Sequence, residues 1–258
     1  APREIPEETA RRRLEETVEV TRKQFSLQSE DIFVKHRRKM DRRRQYEKQA
    51  ETGEFHTVEE GGLKFLVNFR DYLDTGIFLD HRITRSMIRE LTSGLNFLNL
   101  FCYTGTATVY AASGGAAYST SIDTSNTYLD WARRNMDLNE LSSDRHRFIR
   151  ADALSWLQQP GEKFDLMFID PPTFSNNKSE GRIFDIQKDH VLLLRFAMQR
   201  LNPNGAILFS TNFRKFQPEF NSVPGSEAEE ITKNTIPEDF HRKKKIHRSF
   251  LIRKAETE

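Results

Sequence analysis

The chain has a single cysteine, Cys102, in 258 residues. An internal disulfide is therefore excluded, and a reducing compartment, the cytoplasm, is expected. No apolar run approaches the roughly 20 residues that a membrane-spanning helix needs. The start, "APREIPEET", shows no signal-peptide pattern and lacks Met, so a processed product or a piece of something longer is expected. The seven histidines are scattered and show no metal-ligand spacing, so no metal is expected; nor is there a nucleophile–base–acid triad in view. Also missing is the glycine-rich fingerprint G-x-G-x-x-G. A pyrophosphate cradle needs several exposed N–H groups at a helix start, which argues against a dinucleotide cofactor.

What is there suits a soluble α/β chain. Apolar residues make up 36% and charged ones 30%, enough for one large domain with a small appendage. Net charge is only +2, but it is unevenly spread. Residues 35–44, "KHRRKMDRRR", hold seven Lys or Arg, and residues 241–248, "HRKKKIHR", hold five. Two such runs on a near-neutral chain point to a polyanionic partner, with Arg42, Arg43 and Arg44 on its phosphates.

Residues 6–25 read as an amphipathic helix behind Pro6, with Leu14, Val18, Thr21 and Phe25 at helical spacing. "DIFVK" (31–35) reads as a short strand, and the basic run that follows as an arm. "EFHTVEEGGLKFLVNF" reads as a hairpin around Gly61-Gly62. A helix with Ile83, Met87, Ile88 and Leu91 on one face ends at Gly94. Strand and helix then alternate. The strands are "NFLNLF" (96–101), "AYSTSI" (117–122), "HRFIR" (146–150), "FDLMFI" (164–169), "GAILFS" (205–210) and "RSFLIRK" (248–254). The last helix before residue 205 is expected to carry Val191, Leu194, Met198 and Leu201. Repeated βα units imply a Rossmann-like α/β domain with a seven-stranded, mostly parallel sheet. No internal repeat is visible. The expected organisation is an N-terminal helix and basic arm (1–50), a β-hairpin region covering the cofactor site (51–80) and the Rossmann-like domain (81–258).

Ligands of open α/β sheets bind at the carboxyl ends of the strands, near the switch point of strand order. Four strand ends follow: "FCYTG", "IDTSN", "RADAL" and "IDPPTF". Gly105 permits close backbone approach. Asp123, 18 residues on, can accept both hydroxyls of a ribose, or else cap the next helix, a job Thr124 or Ser125 could also do. Asp152 can accept an adenine amine or cap the helix at 153–158. One glycine turn and two strand-end acids describe a pocket for an adenosine without phosphates, and S-adenosylmethionine is the common cofactor of that kind. The expected pocket takes in Asn99, Phe101, Tyr103, Thr104, Gly105, Asp123, Thr124, Asp152, Ala153 and Asp170. In "IDPPTF", Asp170 and the carbonyls beside Pro171 and Pro172 can hydrogen-bond a planar base edge. The prolines fix φ, and Phe174 can stack on the base. Asp170, Pro171 and Pro172 are thus the expected catalytic turn.

"FLNLFCYTGTATVYAASGGA", "SIDTSNTYLDWARRNMDLN", "RADALSWL" and "FDLMFIDPPTFSN" resemble the class I S-adenosylmethionine-dependent methyltransferases. With "DYLDTGIFLDHR" they are similar to bacterial large-subunit ribosomal RNA methyltransferases, and most to the guanine-N7 half of the bifunctional ones. The resemblance runs from about Phe25 to the C-terminus. It implies that Phe78, Asp80 and Arg82 help enclose the cofactor and that Asn212 and Arg214, in "STNFRKF", meet the substrate. It further implies 23S ribosomal RNA as partner, and a guanine-N2 methyltransferase half, fused or separate.

The residues also bear on which atom is methylated. Pyrimidine C5 needs a cysteine nucleophile, and Cys102 lies in the cofactor turn instead. Guanine N7 offers an in-plane lone pair and loses no proton, so its methylation needs mainly alignment. An exocyclic guanine or adenine amine is the alternative. Readings of another class are a nicotinamide oxidoreductase, which should show a richer glycine turn, and a non-catalytic RNA-binding module, which leaves the strand-end acids unexplained.

Overall fold

Pro6, at φ −52°, opens α1 (Glu7–Phe25), with Glu7 and Glu8 in its first turn and Arg22 and Lys23 in its last, as the helix dipole favours. Ser26 closes it in the left-handed region at φ 54°. None of its residues is buried. The computed structural model describes residues 5–35, 50–177, 182–242 and 246–255. Arg42, Arg43, Arg44 and most of the first basic run lie outside them. The chain divides into two compact units, residues 1–54 with 68–73, and residues 55–67 with 74–258.

In the first unit, residues 31–35 form no strand. Asp31 ends a short 3-10 turn, and the Lys35 amine reaches the backbone carbonyls of Tyr72, Asn68 and Leu73. The apolar run packs locally instead: Phe33 stacks on Phe69 at 5.0 Å beneath Arg70. Asp71 accepts from Thr52 and Gly53 amides, the Thr52 hydroxyl and Asn68. Burial would raise its carboxyl, but these donors outweigh it and hold it at about 2.

The second unit begins with the hairpin β1 (His56–Glu60) and β2 (Leu63–Val67). α2 (Arg82–Leu91) precedes β3 (Asn96–Leu100), α3 (Thr106–Ser113), β4 (Tyr118–Asp123), α4 (Asn126–Leu138), β5 (His146–Arg150), α5 (Ala153–Gln158) and β6 (Phe164–Ile169). A small hairpin, β7 (Phe174–Asn177) and β8 (Arg182–Asp185), leads into α6 (Ile186–Gln199) and β9 (Leu201–Thr211). β10 (Ser226–Glu230), the short α7 (Thr232–Thr235) and β11 (Arg248–Lys254) complete the chain. Leu201 thus opens a strand rather than closing the preceding helix. Arg200 ends α6, and Leu201 pairs with Phe164 across the sheet.

Seven strands form one sheet in the order β10-β11-β9-β6-β3-β4-β5. β9, β6, β3, β4 and β5 run parallel; β11 pairs antiparallel to β9 and β10 antiparallel to β11, so β11 alone is reversed. This is the Rossmann-like sheet that the alternation predicts. β10, "SEAEE", carries no apolar alternation, because as an edge strand it has nothing to bury. The strand order reverses between β3 and β6, whose ends pair through Leu100 and Ile169. That pairing, which the sequence expectation requires, brings "FCYTG" and "IDPPTF" side by side.

One apolar layer on the sheet joins Leu100, Ile122, Met167, Ile169 and Phe209 to α5 and α6; the opposite one joins Phe97, Phe168 and Leu208 to α2 and α3. Against Gly76 (φ 108°) packs the indole of the buried Trp131, and a Cβ there would overlap the ring. Gly76→Ala therefore combines backbone strain with a clash against a side chain packed on all sides. The expected cost is about 1–3 kcal/mol, read as a lower thermal midpoint, whereas an unchanged midpoint would mean the loop yields.

Candidate functional site

The turn after β3 is built from left-handed residues. Phe101 has φ 57°, Tyr103 φ 51° and Gly105 φ 70°. Two non-glycine residues in that region within three positions mark a conformation held by its surroundings. The holding groups are visible. The Cys102 amide donates to Ile122 O at 3.0 Å, and the Tyr103 amide donates to Asp123 Oδ2 at 3.0 Å. Thr104 donates its hydroxyl to Gly76 O at 2.5 Å, while its own carbonyl accepts from Asn135 at 2.9 Å. At Gly105 a Cβ would lie 2.6 Å from the Cβ of Ala132. Glycine is therefore demanded here by the packing of α4 and by the positive φ, and that demand stands whether or not a ligand approaches.

Asp123 is not the cap of α4. Ser125 takes that place, accepting from the Tyr128 amide at 3.3 Å. Asp123 instead accepts from Ser125 N at 2.9 Å on one oxygen and from Tyr103 N on the other, tying the ends of β3 and β4 together. Burial pushes its carboxyl up, against the opposing pull of the Ser125, Tyr103 and Thr124 amides. Asp152 does cap α5, accepting from Ser155 N at 2.9 Å. Ala153 begins that helix, buried. The Thr124 carbonyl accepts from Arg150 at 3.1 Å. Asn99 is fully buried and donates to Thr108, whose hydroxyl meets Ser121, so it anchors α3 to the sheet. The Phe101 ring packs 5.5 Å from Phe184.

Of the residues in "TGIFLDHR", Phe78 is exposed and leans on Tyr103, ring centres 5.3 Å apart. Arg82 pairs with Asp239, and Asp80 turns to His247, its Oδ2 2.9 Å from Nδ1. The segment is pinned by Arg85, buried, which grips Glu60 with two hydrogen bonds of 2.7 and 2.8 Å and donates to Phe78 O at 2.9 Å. Tyr110 donates to the same Glu60; burial, and then the Glu60 charge, push its phenol up to about 12.

Asp170 ends β6 with its side chain 27% exposed, so it can meet a ligand. Pro171 is buried and Pro172 half-buried. Thr173 donates to Asn212 at 2.9 Å, which places the expected substrate residue Asn212 against the Pro-Pro turn; Arg214 is exposed two residues further on. Phe174 starts β7 opposite Asp185 and is half-buried. Cys102 is buried, and burial, then the Asp123 charge, push its thiol well up, so it is no nucleophile.

One sequence expectation is corrected. The histidines are not all scattered: His81 and His247, 166 positions apart, stack at 4.4 Å with Asp80 and Asp170 beside them. No spacing rule groups them, and the one local signal is the acid-histidine pair in "LDHR". Asp80, His81 and His247 bring donor atoms within 4.8 Å of one another, as a cation site would. Yet the rings lie 12° from parallel, and both His247 nitrogens are engaged, by Asp80 and by Thr235. Parallel rings cannot both aim an in-plane lone pair at one ion, so this geometry is not that of a chelate. Of the second basic run, His241 and Arg242 are exposed. His247 is buried, and Arg248 pairs with Glu230 and donates to Phe216 O.

A family model described as S-adenosylmethionine-dependent methyltransferase matches residues 2–234. A ribosomal RNA large subunit methyltransferase K/L of Aliivibrio salmonicida is 46% identical over 254 residues, 98% of this chain and 36% of that protein. The protein of the same name from Stutzerimonas stutzeri is 49% identical over 251 residues, 97% of this chain and 34% of that one. This chain thus spans about a third of the length of these curated relatives. Among solved structures, SMU.776, a candidate methyltransferase complexed with SAH, superposes with a TM-score of 0.67 at 27% identity, covering 79% of this chain and 57% of that one. A SAM-dependent methyltransferase from Agrobacterium tumefaciens has a TM-score of 0.62 over 81% of this chain and 72% of that one; at 22% identity it supports the fold alone. Among the described residues no helix is long and apolar enough to cross a membrane.

Proposed function

Because the chain belongs to the S-adenosylmethionine-dependent methyltransferase family, we propose that it methylates a guanine of 23S ribosomal RNA at N7. S-adenosylmethionine supplies an electrophilic methyl on a sulfonium. The residues present fit it: a single-glycine turn with no phosphate cradle, and the Asp123 carboxylate at the end of β4 for ribose hydroxyls. In this reading Tyr103, Thr104, Gly105 and Phe78 line the cofactor's cleft, with Asp152 and Ala153 towards its base. Asp170 and the carbonyls of the Pro-Pro turn hold the guanine edge, and Phe174 stacks on its face. Asn212 and Arg214 stand on the substrate side. Ribosomal RNA is what the relatives' names specify, and their greater length leaves room for a fused guanine-N2 methyltransferase half. Action on ribosomal RNA goes with a cytoplasmic location.

The observation that carries the reading is the pairing of Leu100 with Ile169, which sets Asp170 beside the Tyr103–Gly105 turn. N7 has no proton to lose, so positioning suffices and no general base is called for. The test is borohydride and aniline cleavage of the methylated RNA, which cuts at N7-methylguanine. Resistant product, or label on an exocyclic amine, overturns N7 and leaves methyl transfer standing.

The basic arm enters as the phosphate grip. Neutralising Arg42, Arg43 and Arg44 together should weaken RNA binding. The slope of log affinity against log salt should flatten by roughly 0.7 for each single-strand phosphate no longer neutralised. Filter binding across a salt series measures it; an unaltered slope would make the run a solvated linker.

A further inference from the structure

Behind the Pro-Pro turn lies a buried polar cluster that methyl transfer, as proposed above, does not yet use. Side chains alternate between the faces of a strand, so Asp170 shares a face with Phe168, Ser210 with Leu208, and Ser249 with Leu251. That face carries the layer formed with α2 and α3. At its carboxyl end, the residue before α2 inserts His81, which is 6% exposed and has its ring edge-on to Phe168 at 6.0 Å. His81 Nε2 lies 3.4 Å from Asp170 Oδ2 and 3.9 Å from Asp80 Oδ2. On its other side His81 stacks on His247, which Asp80 holds at Nδ1 and Thr235 at Nε2.

This arrangement serves no evident folding purpose. His81 Nδ1, Thr84 Oγ1, Ser210 Oγ and Ser249 Oγ are buried without a hydrogen-bond partner among the described residues. Unsatisfied buried groups cost stability, and several in one region ask for a reason other than packing. Burial lowers the His81 pKa, against the pull of Asp170 and Asp80 and helped by His247 and Arg85, so the ring is neutral at pH 7. A neutral imidazole has one N–H and one lone pair. Nε2 faces two carboxylates, and a lone pair there would be repelled; the proton therefore sits on Nε2, and the orphaned Nδ1 carries the lone pair.

We propose that His81 is the positioning residue of Asp170: its Nε2–H fixes the carboxylate in the orientation that receives the target base, while Asp80 and His247 lock the His81 ring. The 3.4 Å separation is a small side-chain adjustment from a hydrogen bond, and such bonds often tighten only when substrate is bound. The role rests on reading Asp170 as the base-contacting acid.

Two experiments separate the two ideas. Nitrogen-15 histidine spectra of the chain should show His81 neutral and protonated on Nε2, with that resonance shifted by Asp170→Asn. An Nδ1–H tautomer, or a resonance that ignores Asp170→Asn, overturns the proposal whatever the chain's substrate is. Steady-state methylation of RNA is the second. His81→Leu should lower kcat about 10- to 100-fold with calorimetric cofactor affinity unchanged, because it misaligns rather than empties the site. His81→Gln, whose amide can donate from the same side, should restore kcat to within about threefold of the unaltered chain. Equal losses in both variants, or a loss confined to cofactor affinity, overturn it. If the unaltered chain transfers no methyl to RNA, the functional reading falls and the spectra alone decide the positioning.

Discussion

Asp123→Ala is expected to lower the affinity for S-adenosylmethionine by about 100-fold or more, since it removes the tie that shapes the turn and, in the proposed reading, the ribose acceptor. The carboxylate accepts Tyr103 N–H on one oxygen and Ser125 N–H on the other. Hydrogen bonds to a charged acceptor contribute about 1.5–3 kcal/mol each, and the strained Phe101 and Tyr103 backbone depends on them. The alanine variant should therefore also melt earlier. Asp123→Asn separates the two effects. It keeps one acceptor for the turn but presents an NH2 where the other oxygen was, so the cofactor loss persists with less destabilisation. Burial raises the Asp123 pKa, so the ionised form is disfavoured on folding. A raised carboxyl contributes stability in its protonated form, which is lost as pH rises through the folded pKa; at neutral pH the ionised group costs stability. Removing the charge in the asparagine variant offsets part of the lost hydrogen bond. Cofactor affinity should fall on acidification through that raised pKa, above the ordinary 3.8, as the carboxylate stops accepting. Calorimetry with S-adenosylhomocysteine measures all of this, and an unchanged affinity in Asp123→Ala would remove Asp123 from the site.

Asp170→Ala should divide the parameters the other way, with turnover down by about 100-fold or more and cofactor affinity within about twofold. Asp170 projects from the end of β6, next to the β3 turn but outside the Asp123 tie. In the proposed reading, its loss leaves the cofactor cleft standing and the target base without its edge acceptor. Phe174→Ala should follow the same pattern with a loss limited to stacking, about 1–3 kcal/mol. Single-turnover methylation beside calorimetry reads both. A cofactor affinity that falls as far as turnover would place Asp170 on the cofactor instead of the base.

Most of the second unit was legible in the chain. "HRFIR", "FDLMFI" and "RSFLIRK" are strands with the bounds read from sequence, and "ALSWLQ" is a helix as read. Strand periodicity, caps and turn residues are local, and neighbours in sequence decide them. The acids ending β4, β5 and β6 follow from the same logic, because a strand end at a βα turn is a local feature. Local reading failed where burial was not local. "DIFVK" has strand composition but pairs with no strand among the described residues, and Leu201 has helix periodicity but a strand partner in Phe164. "SEAEE" has no pattern, yet pairs with β11.

The site divides along the same line. The sequence by itself determined which acids stand at strand ends and that the first turn holds one glycine. Only the tertiary structure decided that Ser125 rather than Asp123 caps α4, and that His81 and His247 stack behind Asp170. The reason is physical. A strand's own residues set its face and its ends, but the meeting of side chains 166 positions apart arises from burying two faces of one sheet at once, and no local pattern encodes that sum.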